Sequence, residues 1–350
     1  MTALHDATAS EAPAGLVDVD GSAAQEGILT LDHGLELHFG GSLPRVSVAW
    51  RLVGAPGAPV IAALGGISAG RYVTSEGGVR GWWAEIVGPG LALDTTRFRV
   101  LGLDFVGGSG ESTGPAAGQA DFPTVSAYDQ AEILRLVLEH LQLTRLRAIV
   151  GASYGGMVAL AFAERMPDRV EQIISISAAD RSHPMSTAWR TVQRAIVRYA
   201  ASRGEGSEGL RLARALAMAT YRSPAEFADR FSGTATLIDG RWSFPVERYL
   251  LARGDAYAST YLGEAFVCLS ESIDLHRVDP QQIRVPTALV AVKEDQLVPL
   301  DDMRSLRARL AGPAQLFEIS SLFGHDAFLK ETDALGSIFR QVLSEVGERS

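Results

Sequence analysis

Short apolar runs that alternate with helical segments constrain the fold of this 350-residue chain more than any other feature. Two segments typical of antiparallel strands come first, 35-LELHF-39 and 46-VSVAWRLV-53. Six runs typical of strands buried on both faces follow: 59-PVIAAL-64, 98-FRVLGLDF-105, 146-LRAIVGAS-153, 172-QIISISAA-179, 287-TALVAV-292 and 315-QLFEIS-320. Alternating β and α elements of this kind predict an α/β fold with a mostly parallel central sheet and helices on both faces.

Helical patterns lie between the strands and define the domain organisation. Residues 126–143 place apolar side chains on one stripe behind Ser126, a suitable N-cap, and further helices are predicted over 155–167 and 332–347. The alternation stops between Ser182 and Val285, where helices are predicted over 188–202, 208–220, 224–231 and 245–272. We interpret the chain as a flexible tail (1–26), a core in two parts (27–181 and 286–350) and an inserted helical lid (182–285).

Composition and charge exclude several classes of protein. A net charge of -9 argues against binding to nucleic acid, which favours a basic face. Cys268 is the only cysteine, so the chain offers neither an internal disulfide nor a thiolate metal site, and we expect no metal. The first 25 residues lack the features of a signal peptide, and no stretch reaches the ~20 apolar residues of a membrane span. We therefore expect a soluble cytoplasmic protein.

The segment 149-IVGASYGGMVAL-160 carries the strongest chemical signal. Ser153 lies in a G-x-S-x-G pattern between a predicted strand and a predicted helix, as in a nucleophile elbow. In such an elbow the serine hydroxyl is exposed above the sheet, and the following N–H, here of Tyr154, is available to an oxyanion. The alternative is a glycine-lined turn in which Ser153 only caps the helix.

An elbow serine requires an acid and then a histidine further along the chain. Asp295 follows the strand 287–292 directly, and His325 follows the strand 315–320. Each of the three residues therefore occupies a loop after a strand, the position from which side chains meet over one edge of the sheet. An isolated aspartate here would be interpreted as a solvated turn residue, but the coincidence of three positions favours a Ser153–His325–Asp295 triad.

The glycine-rich loop 61-IAALGGISAG-70 is the candidate oxyanion loop. Its glycines allow the backbone of Leu64 or Gly65 to approach a reacting carbonyl. Phosphate binding is disfavoured because neither a Lys-Ser/Thr pair nor a G-x-G-x-x-G pattern follows. The residues thus predict an acyl-transfer enzyme of α/β-hydrolase type, without deciding between water and another acceptor; a non-catalytic scaffold would require a missing triad member.

Several phrases resemble the homoserine O-acyltransferases of methionine biosynthesis. The phrases are 82-WWAEIVGPGLALDTTRFRVLGLDFVGGSGESTGP-115, 121-DFPTVSAYDQ-130, the elbow with GGM, 220-TYRSPAEFADRF-231 and 323-FGHDAFL-329. The resemblance implies a homodimer that moves an acetyl or succinyl group from coenzyme A to the γ-hydroxyl of homoserine. The apolar helical stripes of the segment 182–285 predict that the lid carries the dimer contact. Acyl-CoA is then a co-substrate, and no cofactor is needed. A ping-pong acyltransferase is preferred, with a hydrolase or a serine O-acyltransferase as alternatives.

The same resemblance implies roles for two further residues. Arg222 matches an arginine that binds the carboxylate of the amino acid, and Asp326 matches an acid that binds its ammonium group. The alternatives without a binding role are that Arg222 is a surface residue of the lid and that Asp326 caps a helix. Tyr154 departs from the family, which has methionine after the nucleophile, so the acyl donor and the acceptor stay open. Arg71 is one candidate partner for a succinyl carboxylate.

Overall fold

The computed structural model describes residues 16–17, 23–75 and 79–345. Its strands are β1 (Leu16–Val17), β2 (Ala23–Leu31), β3 (Leu35–Glu36), β4 (Ser42–Leu43), β5 (Val46–Gly54), β6 (Val60–Leu64), β7 (Val87–Gly88), β8 (Leu93–Asp94), β9 (Arg99–Leu103), β10 (Ala148–Ala152), β11 (Ile173–Ile176), β12 (Thr236–Ile238), β13 (Arg241–Ser243), β14 (Thr287–Val292) and β15 (Ala314–Ile319). Its α-helices are α1 (Ala127–His140), α2 (Tyr154–Arg165), α3 (Pro184–Ala201), α4 (Gly206–Tyr221), α5 (Pro224–Arg230), α6 (Pro245–Ala258), α7 (Gly263–Leu275), α8 (Leu300–Arg309) and α9 (Thr332–Glu345).

Nine strands form one central sheet in the order β1-β2-β5-β9-β6-β10-β11-β14-β15. The first three contacts, from β1 to β9, are antiparallel. All later contacts are parallel, so the carboxyl ends of β6, β10, β11, β14 and β15 meet at one edge. This arrangement confirms the predicted α/β fold with a mostly parallel sheet.

Strand side chains alternate between two apolar cores, one on each face of the sheet. In β10, Ile149 lies in the core that contains Leu134 of α1 and Phe162 of α2. Its neighbour Val150 lies in the opposite core, which contains Phe339 of α9. Every residue of β10 is buried. Because both faces of the sheet are covered, the central strands are continuously apolar instead of alternating with polar residues.

The N-terminal part of the chain differs most from the prediction. The predicted strand over 35–39 is only a two-residue strand, β3, and it pairs with β4 outside the central sheet. The central sheet instead contains β2, which pairs with β5 along eight residues and begins inside the predicted tail. Most of that tail, residues 1–26, lies outside the described residues. The alanines and glycine of β2 carry little strand propensity, so its position depends on pairing with the buried β5.

Five helices, α3 to α7, and the hairpin β12–β13 are inserted between β11 and β14. The predicted helix over 245–272 is two helices, α6 and α7, because the chain turns between them to contact the core. At this turn the Tyr261 hydroxyl donates to the Ile67 carbonyl at 2.9 Å, and the Leu262 N–H donates to Ser109 Oγ at 2.9 Å. The division of the chain into tail, core and lid stays a prediction.

Candidate active site

Ser153 occupies the sharp turn between β10 and α2. Its backbone has φ 53° and ψ -118°, a conformation that residues other than glycine rarely adopt. The turn is held because the Ser153 N–H donates to the carbonyl of Ile176 on the neighbouring β11 at 2.9 Å. The Ser153 hydroxyl makes no capping hydrogen bond to α2. The N-cap alternative for this serine is therefore wrong, and its hydroxyl is available for chemistry.

The glycines of the elbow are required by close backbone contacts. A Cβ on Gly151 would lie 2.2 Å from the carbonyl oxygen of Gly155, and a Cβ on Gly155 would lie 2.1 Å from that of Leu64. Both distances are far below a van der Waals contact. The helix can thus start against the end of β6 only because these positions lack side chains.

The three predicted triad residues form one chain of hydrogen bonds. His325 Nε2 lies 2.8 Å from Ser153 Oγ, and His325 Nδ1 lies 2.7 Å from Asp295 Oδ2. The other carboxylate oxygen of Asp295 accepts from the N–H groups of Leu297 and Val298 at 2.8 and 3.0 Å. An ionised carboxylate can only accept, so the imidazole proton belongs on Nδ1, and Nε2 is left to accept the serine proton.

Burial and charge act in opposite directions on the pKa of His325. Burial alone would lower this pKa, but the carboxylate of Asp295 favours the imidazolium and raises the pKa above the ordinary 6.5. Asp326 acts in the same direction, and the guanidinium of Arg190 acts against both. His325 is thus a stronger base than a free imidazole. The arrangement can activate Ser153 for attack on a carbonyl carbon.

Two backbone N–H groups close to Ser153 in the fold are the candidates for the predicted oxyanion hole. Tyr154 is the first residue of α2, so its N–H precedes the first helical hydrogen bond. Gly65 is the first residue after β6, and its carbonyl accepts from the Gly155 N–H at 2.8 Å, which fixes this loop against the elbow. The N–H of Gly65 itself has no hydrogen-bond acceptor among the described residues (16–17, 23–75 and 79–345). Leu64 pairs with Gly151 in the sheet, so Gly65 is the better of the two predicted donors.

Ser153 and His325 line a cavity of about 210 Å³ between the sheet edge and the inserted helices. Charged side chains are concentrated in its wall. They are Arg181, Arg190, Arg214, Asp302 and Asp326. A second, polar cavity adjoins the first and shares Trp82, Arg214, Asp326 and Leu329 with it. The cationic side chains Arg80, Arg253 and Lys330 line this second cavity.

Arg222 does not line the cavity that contains Ser153. Its guanidinium is buried in ion pairs with two carboxylates, Nε to Asp326 Oδ2 at 3.0 Å and Nη1 to Glu226 Oε2 at 3.3 Å. Its backbone carbonyl accepts from Gln296 on the loop that carries Asp295. This geometry suits a residue that joins α4 to the two triad loops better than one that binds a substrate carboxylate. Asp326, by contrast, lines the catalytic cavity.

Arg214 is the cavity residue that sequence reasoning missed. Its guanidinium carbon lies 5.1 Å from the ring centre of Tyr221 and 4.4 Å from that of Tyr257. No carboxylate lies within 4.0 Å of this guanidinium in the described part of the chain, so it is available to an anionic ligand. Arg214 and Tyr221 are seven residues apart on α4, and both are partly buried beside its buried residues Ala213 and Ala217. An arginine on the apolar face of an amphipathic helix was the signal available in the sequence.

Arg71 forms ion pairs inside the protein and does not line the catalytic cavity. It is buried, and its Nη1 binds Asp104 Oδ2 at 2.5 Å while its Nη2 binds Glu111 Oε1 at 2.9 Å. Its backbone N–H also donates to Asp104 at 2.7 Å. With two carboxylates already bound, Arg71 is not available to a succinyl carboxylate, and that suggestion is wrong.

Comparisons with known proteins identify the relatives of this chain. A family model described as the alpha/beta hydrolase fold matches residues 62–332. A homoserine O-succinyltransferase from Xanthomonas campestris pv. campestris is 38% identical over 99% of this chain and 92% of that protein. A homoserine O-acetyltransferase from Geotalea daltonii is 31% identical over 80% of this chain and 84% of that protein.

A solved structure gives the same fold. The homoserine O-acetyltransferase from Bacillus anthracis superposes with a TM-score of 0.83 over 91% of this chain and 97% of that chain, at 18% identity. Within the described residues, no helix combines the length and the apolar character that a bilayer span requires.

The ionisation of His325 should be visible in the rate of serine acylation. His325 must be neutral to accept the Ser153 proton, so acylation by 4-nitrophenyl acetate should rise with pH through a midpoint above 6.5. Asp295→Asn should lower that midpoint and slow the plateau by about 10³- to 10⁴-fold, because the favourable tautomer and charge are lost. Stopped-flow release of 4-nitrophenolate measures both.

Glu294→Gln is the matched control for this experiment. Glu294 neighbours Asp295 but accepts from the Ser321 N–H at 2.8 Å and not from His325. Its substitution should leave the midpoint unchanged. An unchanged midpoint in Asp295→Asn would mean that another group limits acylation.

Proposed function

We propose that this chain moves an acyl group from acyl-coenzyme A to homoserine. The chain belongs to the α/β-hydrolase family and, within it, to the homoserine O-acyltransferases. The observation that carries the proposal is the Ser153–His325–Asp295 chain at the wall of a cavity that inserted helices cover. By the same relationship, we propose that the product serves methionine biosynthesis.

The first half-reaction acylates the enzyme. Ser153 Oγ attacks the thioester carbonyl carbon while His325 Nε2 accepts the hydroxyl proton. The N–H groups of Gly65 and Tyr154 stabilise the negative oxygen of the tetrahedral intermediate. The carbon–sulfur bond then breaks, and the proton on His325 passes to the leaving CoA thiolate. The products of this step are the acyl ester of Ser153 and free CoA.

The second half-reaction reverses these roles. The hydroxyl of homoserine occupies the position that the thiol left, and His325 accepts its proton as the oxygen attacks the acyl ester. The bond to Ser153 Oγ breaks, and His325 returns the proton to the serine. The result is O-acylhomoserine and free enzyme, a ping-pong sequence in which CoA leaves before homoserine reacts.

Arg214 and Asp326 form the site that we propose for the acceptor's charged groups. A guanidinium binds a carboxylate through two parallel hydrogen bonds, and a carboxylate binds an ammonium group. Arg214 has no bound carboxylate in the described residues. Asp326 pairs with Arg222 through Oδ2, but its Oδ1 has no partner among these residues, and Asp326 lines the same cavity beside His325. The two charges can thus orient the amino-acid end of homoserine so that its hydroxyl faces the acyl ester.

The adjoining cavity supports acyl-CoA as the donor. Coenzyme A carries several phosphate groups, which require cations near the entrance to the acyl site. Arg253 and Lys330 supply such cations beside residues that both cavities share, whereas Arg80 is paired with Glu85 in the same wall.

We also propose that the protein is a homodimer joined through the inserted segment. Four large apolar side chains on and beside the hairpin β12–β13 are about half exposed or more, namely Leu237, Ile238, Trp242 and Phe244. Apolar groups clustered in this way favour contact with another protein surface, and a second copy supplies an identical hairpin.

The donor and the acceptor are tested by measuring thiol release. Acetyl-CoA and succinyl-CoA are each combined with homoserine, serine or no amino acid. Acyl-CoA alone should release about one equivalent of CoA per enzyme, and homoserine should convert this burst to turnover. Ser153→Ala should abolish both without changing the melting temperature. Turnover that is equally fast without an amino acid would identify a hydrolase instead.

Substitution of Arg214 should affect only the second half-reaction, whereas substitution of Arg222 should affect both. Arg214→Met should leave the burst of CoA release nearly unchanged and weaken homoserine use by about 1.5–3 kcal/mol, the value of a charge-assisted hydrogen bond. Arg222→Met should slow both half-reactions and lower the free energy of unfolding by about 3–5 kcal/mol, because the buried Asp326 loses its cation and Glu226 keeps only Arg230. Single-turnover kinetics and urea unfolding separate the two.

Arg211→Met is the control on the same helix. Arg211 pairs with Glu208 and Asp255 and lines neither cavity. Its loss should not change homoserine use. If Arg214→Met reduced the burst as much as turnover, Arg214 would belong to the donor site.

The dimer should depend on the hairpin. Light scattering at micromolar concentration should give twice the chain mass of 37.3 kDa. Trp242→Ser combined with Leu237→Ser should give monomer, whereas Ile28→Ser, which alters an equally exposed side chain on β2, should not. A monomeric wild-type protein would contradict the proposal.

A further inference from the structure

The loop 65–69, which follows β6, is bound to the inserted helices as well as to the elbow. It begins with Gly65, whose N–H we propose as an oxyanion donor, and the rest of it lines the catalytic cavity. We infer that Tyr257 and Tyr261 are positioning residues, whose hydroxyl groups hold this loop and thereby fix the Gly65 N–H for catalysis. This inference rests on the oxyanion role proposed for Gly65 and extends it to the segment that covers the cavity.

The two ends of the loop are held by the core. The Gly65 carbonyl accepts from the N–H of Gly155, and the Gly70 carbonyl accepts from Trp82 Nε1 at 3.1 Å. The loop itself starts with a pair of glycines, and a Cβ on Gly66 would meet no atom within 4 Å beyond its chain neighbours. Glycine has more backbone freedom than any other residue. The centre of the loop therefore needs contacts of its own to stay in place.

Two tyrosine hydroxyls supply these contacts. Tyr257, the second-last residue of α6, has its hydroxyl 2.9 Å from Ser68 Oγ. Tyr261, in the turn between α6 and α7, donates to the Ile67 carbonyl at 2.9 Å. The two rings stack with their centres 4.8 Å apart, so both hydroxyls belong to one aromatic pair. Burial raises the pKa of Tyr257 above its usual 10, so this hydroxyl keeps its proton.

An apolar contact joins the loop to the same helices. The side chain of Ile67 packs against a small core inside the inserted segment, which contains Val197, Leu210, Phe266 and the ring of Tyr257. Apolar packing holds Ile67 near this core, and the hydroxyl contacts fix the direction of the backbone around it. The centre of the loop thus keeps its position only while the inserted helices are in contact with it.

Neither tyrosine lies at the reacting groups. Among the described residues that line the catalytic cavity, Ser68 is present and both tyrosines are absent. An effect of either hydroxyl on the acylation of Ser153 must therefore pass through the loop. An oxyanion donor acts only at hydrogen-bond distance from the developing charge, so a small displacement of Gly65 is enough to slow the reaction.

The test removes each hydroxyl and measures acylation by 4-nitrophenyl acetate, which lacks coenzyme A. Tyr257→Phe and Tyr261→Phe should each slow the plateau rate by about 10- to 100-fold, because the oxyanion donor is no longer held. The pH midpoint that His325 sets should stay where it is, since the triad is intact. An unchanged rate, or a midpoint that moves together with the rate, would overturn the inference.

A double-variant cycle identifies the route of the effect. If the Tyr257 hydroxyl acts through Ser68 Oγ, the combination of Tyr257→Phe with Ser68→Ala should be no slower than the slower single variant. Slowing by the product of the two single effects would mean that Tyr257 acts elsewhere, and the inference would fail.

A boronic acid distinguishes a displaced oxyanion donor from a general loss of structure. Phenylboronic acid forms a tetrahedral adduct with a serine nucleophile, and one oxygen of that adduct occupies the oxyanion position. Tyr257→Phe should weaken its binding by about 10-fold or more while the protein stays folded by circular dichroism. Slower acylation with undiminished boronate binding would contradict a role in holding the oxyanion donor.

Tyr249→Phe is the matched control on the same helix. The ring of Tyr249 lies 5.0 Å from that of Phe231, and Tyr249 lines neither of the two adjoining cavities in the described part of the chain. Its substitution should change neither the acylation rate nor boronate binding. Slowing as large as in Tyr257→Phe would show that acylation depends on α6 in general and not on the contact with the loop.

The acetate ester keeps this inference apart from the proposed transfer. If the wild-type enzyme is acylated by the ester but releases no CoA from acyl-CoA, the donor is wrong, and the tyrosine variants still decide the role of the loop. If homoserine is acylated from acyl-CoA and both tyrosine variants match the wild type, the transfer stands and the positioning role is wrong.

Discussion

The close contact between β6 and the start of α2 is the constraint on which the active site depends. The helix can reach the sheet edge only because Gly151 and Gly155 leave no Cβ between the two backbones. The same contact pulls Ser153 into a positive φ and places the Gly65 loop beside it through the Gly155–Gly65 hydrogen bond. Nucleophile and oxyanion donors are thus positioned by one packing arrangement, so neither can move without the other.

The inserted helices are joined to the catalytic loops by polar contacts at the end of α4. Ser223 Oγ donates to the Leu322 carbonyl at 2.6 Å, just before His325, and Gln296 donates to the Arg222 carbonyl at 2.8 Å, just after Asp295. The ion pair of Arg222 with Asp326 adds a charged link to the same place. Because these contacts hold both triad loops, the geometry of the acid and base depends on the position of the covering helices.

The sequence was sufficient for the fold and for the triad positions, because both follow from local patterns. Apolar runs identify buried strands, and residues that directly follow parallel strands meet at one edge whatever lies between them along the chain. The roles of Arg214 and Arg222 could not be predicted from local patterns. Arg222 is neutralised by Asp326, which is 104 residues away in sequence, and Arg214 is left unpaired by the absence of such a partner. Only the folded chain shows which cation has a carboxylate. Strand β2 was missed for a similar reason, since pairing with β5 and not its own composition specifies it.

The charges of the cavity explain how the triad of a hydrolase can serve transfer. Water reaches any open acyl-enzyme, so an acceptor must compete by being held in a reactive orientation. In the reaction that we propose, Arg214 and Asp326 bind a molecule with both a carboxylate and an ammonium group, and water can use neither contact. In the same proposal, Ser153, His325 and Asp295 supply the chemistry that transfer and hydrolysis share, and the charged cavity wall favours transfer.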